Sequence, residues 1–246
     1  MLKLKEKQYR RDYTGEKIVV SRTVERNNWL SETEEVPNRV TNRQISNRAV
    51  VFGNSESRKD FPTAHTLQKH AGLLGALTLQ SYGCNALFRD HETDFLVVTT
   101  REVAKEIAAS GYCDNNIVYA QAPLTLEFPG KFYLTPRDLY ADAGATATYL
   151  ACFDGHRKIY LVGCEGNFDT TYNSNMYAGT RGYDAINADQ TGANNAQSYK
   201  QIFDIYDDVD FALVTPNGNM QTHEGWKTCP NFRQISHRDM VVEADL

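Results

Sequence analysis

A chain of 246 residues, 41% hydrophobic and 23% charged, is long and apolar enough to bury one full α/β core. Its formal net charge of −5 sets nucleic acid aside as a general partner, since phosphate backbones are bound by clustered Lys and Arg. The cysteines Cys84, Cys113, Cys152, Cys164 and Cys229 are odd in number and form no CxxC pair. That points to free thiols in a reducing compartment and away from a disulfide frame or a zinc site. No apolar run approaches the ~18 residues of a membrane span, and no leader-like segment opens the chain, so the expectation is a cytoplasmic protein without a membrane span.

Basic residues concentrate early, in KLKEKQYRR, Lys3 to Arg11, which reads as a solvated arm or as one that touches nucleic acid or a partner protein. Glu16 to Val36 holds two roughly alternating segments around Arg26-Asn27-Asn28, where Asn tolerates the positive φ of a tight turn. This predicts a β-hairpin. The polar Pro37 to Arg48 then links it to the core. Residues 1–47 are therefore expected to be an extension, packed on the main domain, on a second copy or on another partner.

From Ala49 short apolar runs alternate with helix-like stretches, as in βαβ units. AVVFG (Ala49 to Gly53), LTLQSYGC (Leu77 to Cys84), DFLVVTT (Asp94 to Thr100), NNIVYAQ (Asn115 to Gln121), KIYLVGCEG (Lys158 to Gly166) and DFALVTPNG (Asp210 to Gly218) read as strands. Helices are expected over Arg101 to Ser110, closed by Gly111, over Ala143 to Gly155 and over Asn194 to Asp208. The fold class is α/β: a Rossmann-like, mostly parallel open sheet with helices on both faces, preceded by the hairpin. The main domain is expected over residues 48–219, with 220–246 as a tail packing on it or on a partner.

In such sheets ligands bind at the carboxyl ends of the strands, where strand order reverses. The candidates are Gly53, Asn54 and Ser55 after the first core strand, Asn85 after the second, and Glu165 near Asp169 after the strand from Lys158. Gly53 allows a sharp turn and close approach, and Asn54 and Ser55 add side-chain donors. The same stretch also reads as an ordinary strand-to-helix turn in which Ser55 and Ser57 cap a helix. Asn85 can read a base or sugar edge or bond its own turn. Glu165 can act as a general base, while two acids without a neighbouring His make a thin metal set, so no metal site is expected. The segment TTYNSNMYAGTRGYD, Thr170 to Asp184, is either a lid over the crevice or a surface excursion. As a lid it would offer Tyr172, Tyr177, Tyr183 and Arg181 to a leaving phosphate.

The motifs VFGNSES (Val51 to Ser57), YGCNALF (Tyr82 to Phe88), DAGATATYLACFDGHRKIYLVGCEG (Asp142 to Gly166) and YKQIFDIYDDVDFALVTPNG (Tyr199 to Gly218) resemble, in order and spacing, a nucleotide-sugar-binding family. That family includes the bacterial family 42 sialyltransferases and a related group of 6-hydroxymethylpterin diphosphokinase-like proteins. The resemblance covers about residues 48 to 219. It implies a transferase in which Asn54 and Asn85 contact the nucleotide and the backbone around Gly144 contacts its phosphate or sugar. Tyr172 and Tyr177 would assist departure of the nucleotide phosphate, with no cofactor beyond the nucleotide-sugar donor itself. The family's G-N-G-P-S is Gly53-Asn54-Ser55-Glu56-Ser57 here, its serine before Gly144 is Ala143, and its catalytic-base histidine aligns with Gln190. Either Asp189 or Glu165 is then the base, or the chemistry differs, or turnover is lost. The N-terminal style, including VPNRVTNRQISNRAVV, is also similar to uncharacterised proteins of tailed bacteriophages, which implies host cytoplasm or virion as the location.

Three functions compete: a glycosyltransferase-like enzyme using a nucleotide-activated sugar; a non-enzymatic, assembly-related protein on the same scaffold; and a diphosphokinase, which would need Mg²⁺ and more carboxylates than this chain places.

Overall fold

The computed structural model describes residues 3–11, 17–25, 29–37, 47–69, 79–137, 139–165, 174–184 and 191–246. It opens with a three-stranded antiparallel sheet of β1 (Lys3–Arg11), β2 (Lys17–Glu25) and β3 (Trp29–Pro37) in the order β1-β2-β3. The β2–β3 pair, with Glu25 opposite Trp29, is the expected hairpin. The basic stretch expected as an arm is instead β1, paired along β2 from Lys3↔Glu25 to Arg11↔Ile18. Its Lys and Arg content suits an outer strand, because charge on an edge discourages further pairing.

The core strands are β4 (Arg48–Phe52), β5 (Gln80–Cys84), β6 (Phe95–Val98), β7 (Ile117–Ala120), β8 (Tyr133–Leu134), β9 (Lys158–Val162), β10 (Asp210–Thr215) and β11 (Phe232–Ser236). They form one eight-stranded sheet ordered β11-β10-β9-β4-β5-β6-β7-β8, with every neighbouring pair parallel. The helices are α1 (Thr63–Lys69), α2 (Arg101–Ser110), α3 (Ala122–Glu127), α4 (Ala143–Phe153), α5 (Thr191–Ile205), α6 (Glu224–Lys227) and α7 (His237–Glu243). The chain starts in the middle at β4, winds outward to β8, and returns through α4 to β9 on the other side of β4. Strand order therefore reverses between β4 and β9.

The runs Val50-Val51-Phe52 and Ile159-Tyr160-Leu161-Val162 are fully buried, as expected for parallel strands covered on both faces. Alternation divides them. Ala49, Val51, Ile159 and Leu161 pack with Leu150 of α4, Phe203 of α5 and Trp226 of α6. Val50, Phe52, Tyr160 and Val162 pack on the other face with Ile107 of α2, Leu124 of α3 and Met240 of α7. The fold is thus an α/β Rossmann-like open sheet with helices on both faces. α4 carries almost only Ala, Thr and Gly over its first half and is buried nearly all round, so it can sit close against the strands. Asp142 caps it by accepting a hydrogen bond from Ala145 N at 2.7 Å.

α2 ends where expected, at Gly111 in the left-handed region with φ +79°. The stretch after Met220, expected as a tail, adds β11 to the sheet and α7 to one face. Ser236 and Asp239 form a capping box at the start of α7. No helix among the described residues is long and apolar enough to cross a membrane.

Candidate functional site

The reversal of strand order between β4 and β9 is where an open parallel sheet presents a crevice. Here its floor is closed by the main chain: Gly53 N donates to Val162 O at 2.8 Å and Ser55 N to Gly163 O at 3.0 Å. Gly53 makes this possible. A Cβ built on it would lie 2.1 Å from the Gly163 carbonyl oxygen. The close approach expected toward a ligand is therefore made to the neighbouring strand end.

Asn54 turns away from that floor toward β5. Its Nδ2 donates to Cys84 O at 3.1 Å and to the Tyr183 hydroxyl at 3.3 Å. Its Oδ1 is buried without a partner, and an unmet buried acceptor costs about 1–3 kcal/mol. Ser55 forms an antiparallel bridge with Asn175, flanked by Glu56 N to Ser174 O and Met176 N to Asn54 O, both 2.8 Å. Residues 174–184, the described part of the expected lid, are thereby laid across the carboxyl end of β4.

Neither serine uses its side chain as a helix cap on this turn: Ser55 sits at the cap position without such a bond, and Ser57 Oγ donates to Glu165 Oε2 at 2.6 Å. Glu165 is 3% exposed at the end of β9. Burial pushes its carboxyl above the usual range, partly offset by the Ser57 bond.

Asn85 stands after β5 with φ +45°, a conformation Asn accepts more readily than most residues. Its Oδ1 accepts from Thr99 N at 2.9 Å and from Thr100 N at 3.4 Å. The amide oxygen thus holds the β6–α2 turn, which leaves the Nδ2 group as the part of the side chain able to face a ligand. Gly144 faces Tyr199, whose hydroxyl would lie 2.3 Å from a Cβ built there. Asp142, at the same helix start, raises the thiols of Cys84 and Cys164 through its charge, after burial as the main cause. The start of α4 therefore looks toward the ends of β5 and β9.

The tyrosines of residues 174–184 are anchored inward. The Tyr177 hydroxyl donates to Asp90 Oδ2 at 2.6 Å and accepts from Arg58 Nη2 at 3.3 Å. The Tyr183 hydroxyl accepts from Asn54 Nδ2 and, at 3.4 Å, from Ala86 N. Burial pushes both phenols to about 12. Arg89 latches the segment. It bonds Glu106 at 2.9 and 2.6 Å, and Thr180 Oγ1 and the Arg181 carbonyl at 2.8 Å each. Arg181 itself is exposed.

Gly53, Asn54, Ser55, Asn85 and Glu165 thus meet at the strand ends, with Tyr177 above them and Gly144 on the α4 side. Tyr172 and Asp189 lie outside the described residues, as does Gln190. Among the described residues no three His, Cys, Asp or Glu side chains gather as a metal-binding group. Sequence reasoning passed over Arg58, Arg89 and Asp90. Arg58 stands in ESRKD, where a charge run reads as a solvated face. In the fold it is buried, with Tyr177, distant in sequence, on its guanidinium.

The fold and these strand ends define an α/β open-sheet protein with a group of polar residues at the reversal of strand order. Comparison of the chain with protein-family models, with curated proteins and with solved structures finds no match.

Proposed function

We propose that the chain binds a nucleotide-activated sugar at the carboxyl ends of β4, β5 and β9 and transfers the sugar to an acceptor. The observation that carries this reading is the Asn54 carboxamide oxygen, buried and unpartnered beside the point where strand order reverses. A ligand N–H or O–H, such as an exocyclic amine of a base or a ribose hydroxyl, would satisfy it. The Asn85 Nδ2 group supplies a matching donor. Glu165 is the general base among the described residues, taking the acceptor's proton onto a carboxylate that burial makes more basic. Tyr177 and Tyr183 donate to the leaving phosphate once the segment carrying them re-docks over a bound donor. The motif resemblance supports the same reading, and the proposed chemistry draws on no metal.

A second reading, a non-enzymatic assembly protein on this scaffold, is favoured by one observation: Tyr183 already occupies the Asn54 amide group. Thermal-shift titration with CMP, UDP and GDP, and with their sugar conjugates, separates the two. A nucleotide at 100-fold its Kd adds about 2.7 kcal/mol to stability, and Asn54→Ala should erase the response. If no nucleotide shifts the midpoint, the transferase reading falls and the assembly reading stands.

A further inference from the structure

We propose that the cavity beside Arg58 is an anion site that takes the phosphate group of a small phosphate monoester. The cavity holds about 390 Å³ and is lined by Arg58, Lys59, Thr63, His65, His91 and Met176 among others. Arg58 is 3% exposed, and a buried cation is costly unless it is paired. Its Nε has no partner. Among the described residues its Nη2 bonds the Tyr177 hydroxyl at 3.3 Å, and that phenol in turn bonds Asp90. A guanidinium offers five donors in a planar fork that fits phosphate oxygens two at a time, and here the Nε donor is unused.

The other polar lining groups are of a kind. Lys59 adds a second cation and His65 and His91 add imidazole donors. Burial and then the Arg58 charge lower the His91 pKa, with Asp90 acting in the opposite sense, so His91 presents a neutral ring N–H at neutral pH. A cavity of this volume falls at the small end of ligand pockets, roughly 300–1,000 Å³. It accepts a phosphate with a small organic group attached. The inference rests on Arg58 and its surroundings, and it stands or falls independently of the nucleotide reading.

The test is calorimetric titration and thermal shift with inorganic phosphate at constant ionic strength, with sulfate and chloride as controls. Wild type is compared with Arg58→Met, Arg58→Lys and His91→Leu. Phosphate should bind saturably, sulfate more weakly, and chloride not at all. Losing one charge-assisted hydrogen bond in His91→Leu should weaken phosphate about tenfold, and Arg58→Lys, which keeps the charge and loses the fork, should weaken it similarly. Arg58→Met should abolish the response while remaining at least as stable as wild type without phosphate, because a buried charge with an unmet donor has gone. Should Arg58→Met not fold, the lysine and leucine variants decide. Absence of a saturable phosphate response in the millimolar range, an equal response to chloride, or responses unchanged in both Arg58→Lys and His91→Leu would each overturn the proposal.

Discussion

Gly53→Ala tests whether the turn after β4 is shaped by its neighbour strand or by a ligand. The added Cβ would stand 2.1 Å from Gly163 O, 2.8 Å from Gly163 C and 2.9 Å from Cys164 Sγ. Carbon–oxygen contacts ordinarily begin near about 3.3 Å, so the Gly163 carbonyl must retreat by about 1 Å. That carbonyl accepts from Ser55 N at 3.0 Å, and Gly53 N bonds Val162 O at 2.8 Å, so the shift strains two buried main-chain hydrogen bonds. Overpacking of this kind costs about 1–3 kcal/mol, and the weakened bonds add roughly 1–2 kcal/mol. The expected loss is about 2–5 kcal/mol, a large share of a domain stability of roughly 5–15 kcal/mol. Urea denaturation followed by circular dichroism measures it. Gly225→Ala is the control: its Cβ would meet only side-chain carbons of Lys200, the nearer at 3.4 Å, and alanine in a helix should leave stability unchanged or raise it by up to about 1 kcal/mol. If Gly53→Ala unfolds within about 0.5 kcal/mol of wild type, a difference typical of a neutral surface change, the strand-contact explanation is wrong. Retained stability with lost ligand binding would return Gly53 to the role of admitting a ligand.

Tyr183→Phe removes the hydroxyl that accepts from Asn54 Nδ2 and Ala86 N; a stability loss of about 1–2 kcal/mol is expected, and under the transferase reading nucleotide affinity should rise because a competitor for the Asn54 amide is gone. Arg89→Ala cuts the bonds to Thr180 and the Arg181 carbonyl, so tryptic cleavage after Arg181 should speed up by about tenfold as the segment opens more often; an unchanged cleavage rate would refute the latch. Glu165 has a raised folded-state pKa, so its favourable contribution is complete below the ordinary carboxylate value, about 4.3, and is lost as pH rises through the raised value. Glu165→Gln should lack that loss, and the difference between the two melting profiles isolates Glu165, because Asp142, shifted in the same direction, is common to both; parallel profiles would show that burial does not govern this carboxyl.

The central sheet was readable because parallel strands covered on both faces must be continuously apolar, and β4 and β9 are. α2 was readable to the residue because its one-sided apolar face, Val103, Ala104 and Ile107, is followed by a glycine that takes a left-handed φ. β8 spans only Tyr133–Leu134, too short for any period to show. β11, FRQIS, is an outer strand with only Ile235 of its five residues buried, so the other four carry no burial signal. β1 was hidden by charge, since a solvated arm and a lysine-rich outer strand have the same composition. At the site, residue type and strand-end position picked out Asn54, Asn85 and Glu165. What each does was not readable. The Asn85 oxygen is spent on two N–H groups fourteen and fifteen residues away, and the Arg58 environment depends on Tyr177, 119 residues away.

Asn54 and Arg58 lie on one turn after β4 and offer opposite chemistry, an unmet acceptor and an unmet donor. Each is touched by a tyrosine of the same short segment, Tyr183 on Asn54 and Tyr177 on Arg58. The two contacts differ in consequence. Arg58 lines its cavity with the segment in place, whereas the Nδ2 group of Asn54 is committed to Cys84 O and Tyr183. A phosphate at Arg58 can therefore bind to the closed form, while a nucleotide that engages the whole Asn54 amide must first displace Tyr183 and so enters through the open one. Apparent affinity for a ligand of the open form falls in proportion to that form's population. Arg89→Ala, which shifts the population toward open, should consequently strengthen nucleotide binding and leave phosphate binding unimproved. Equal gains for both ligands would mean that the segment gates the two sites together, and equal losses that it builds them.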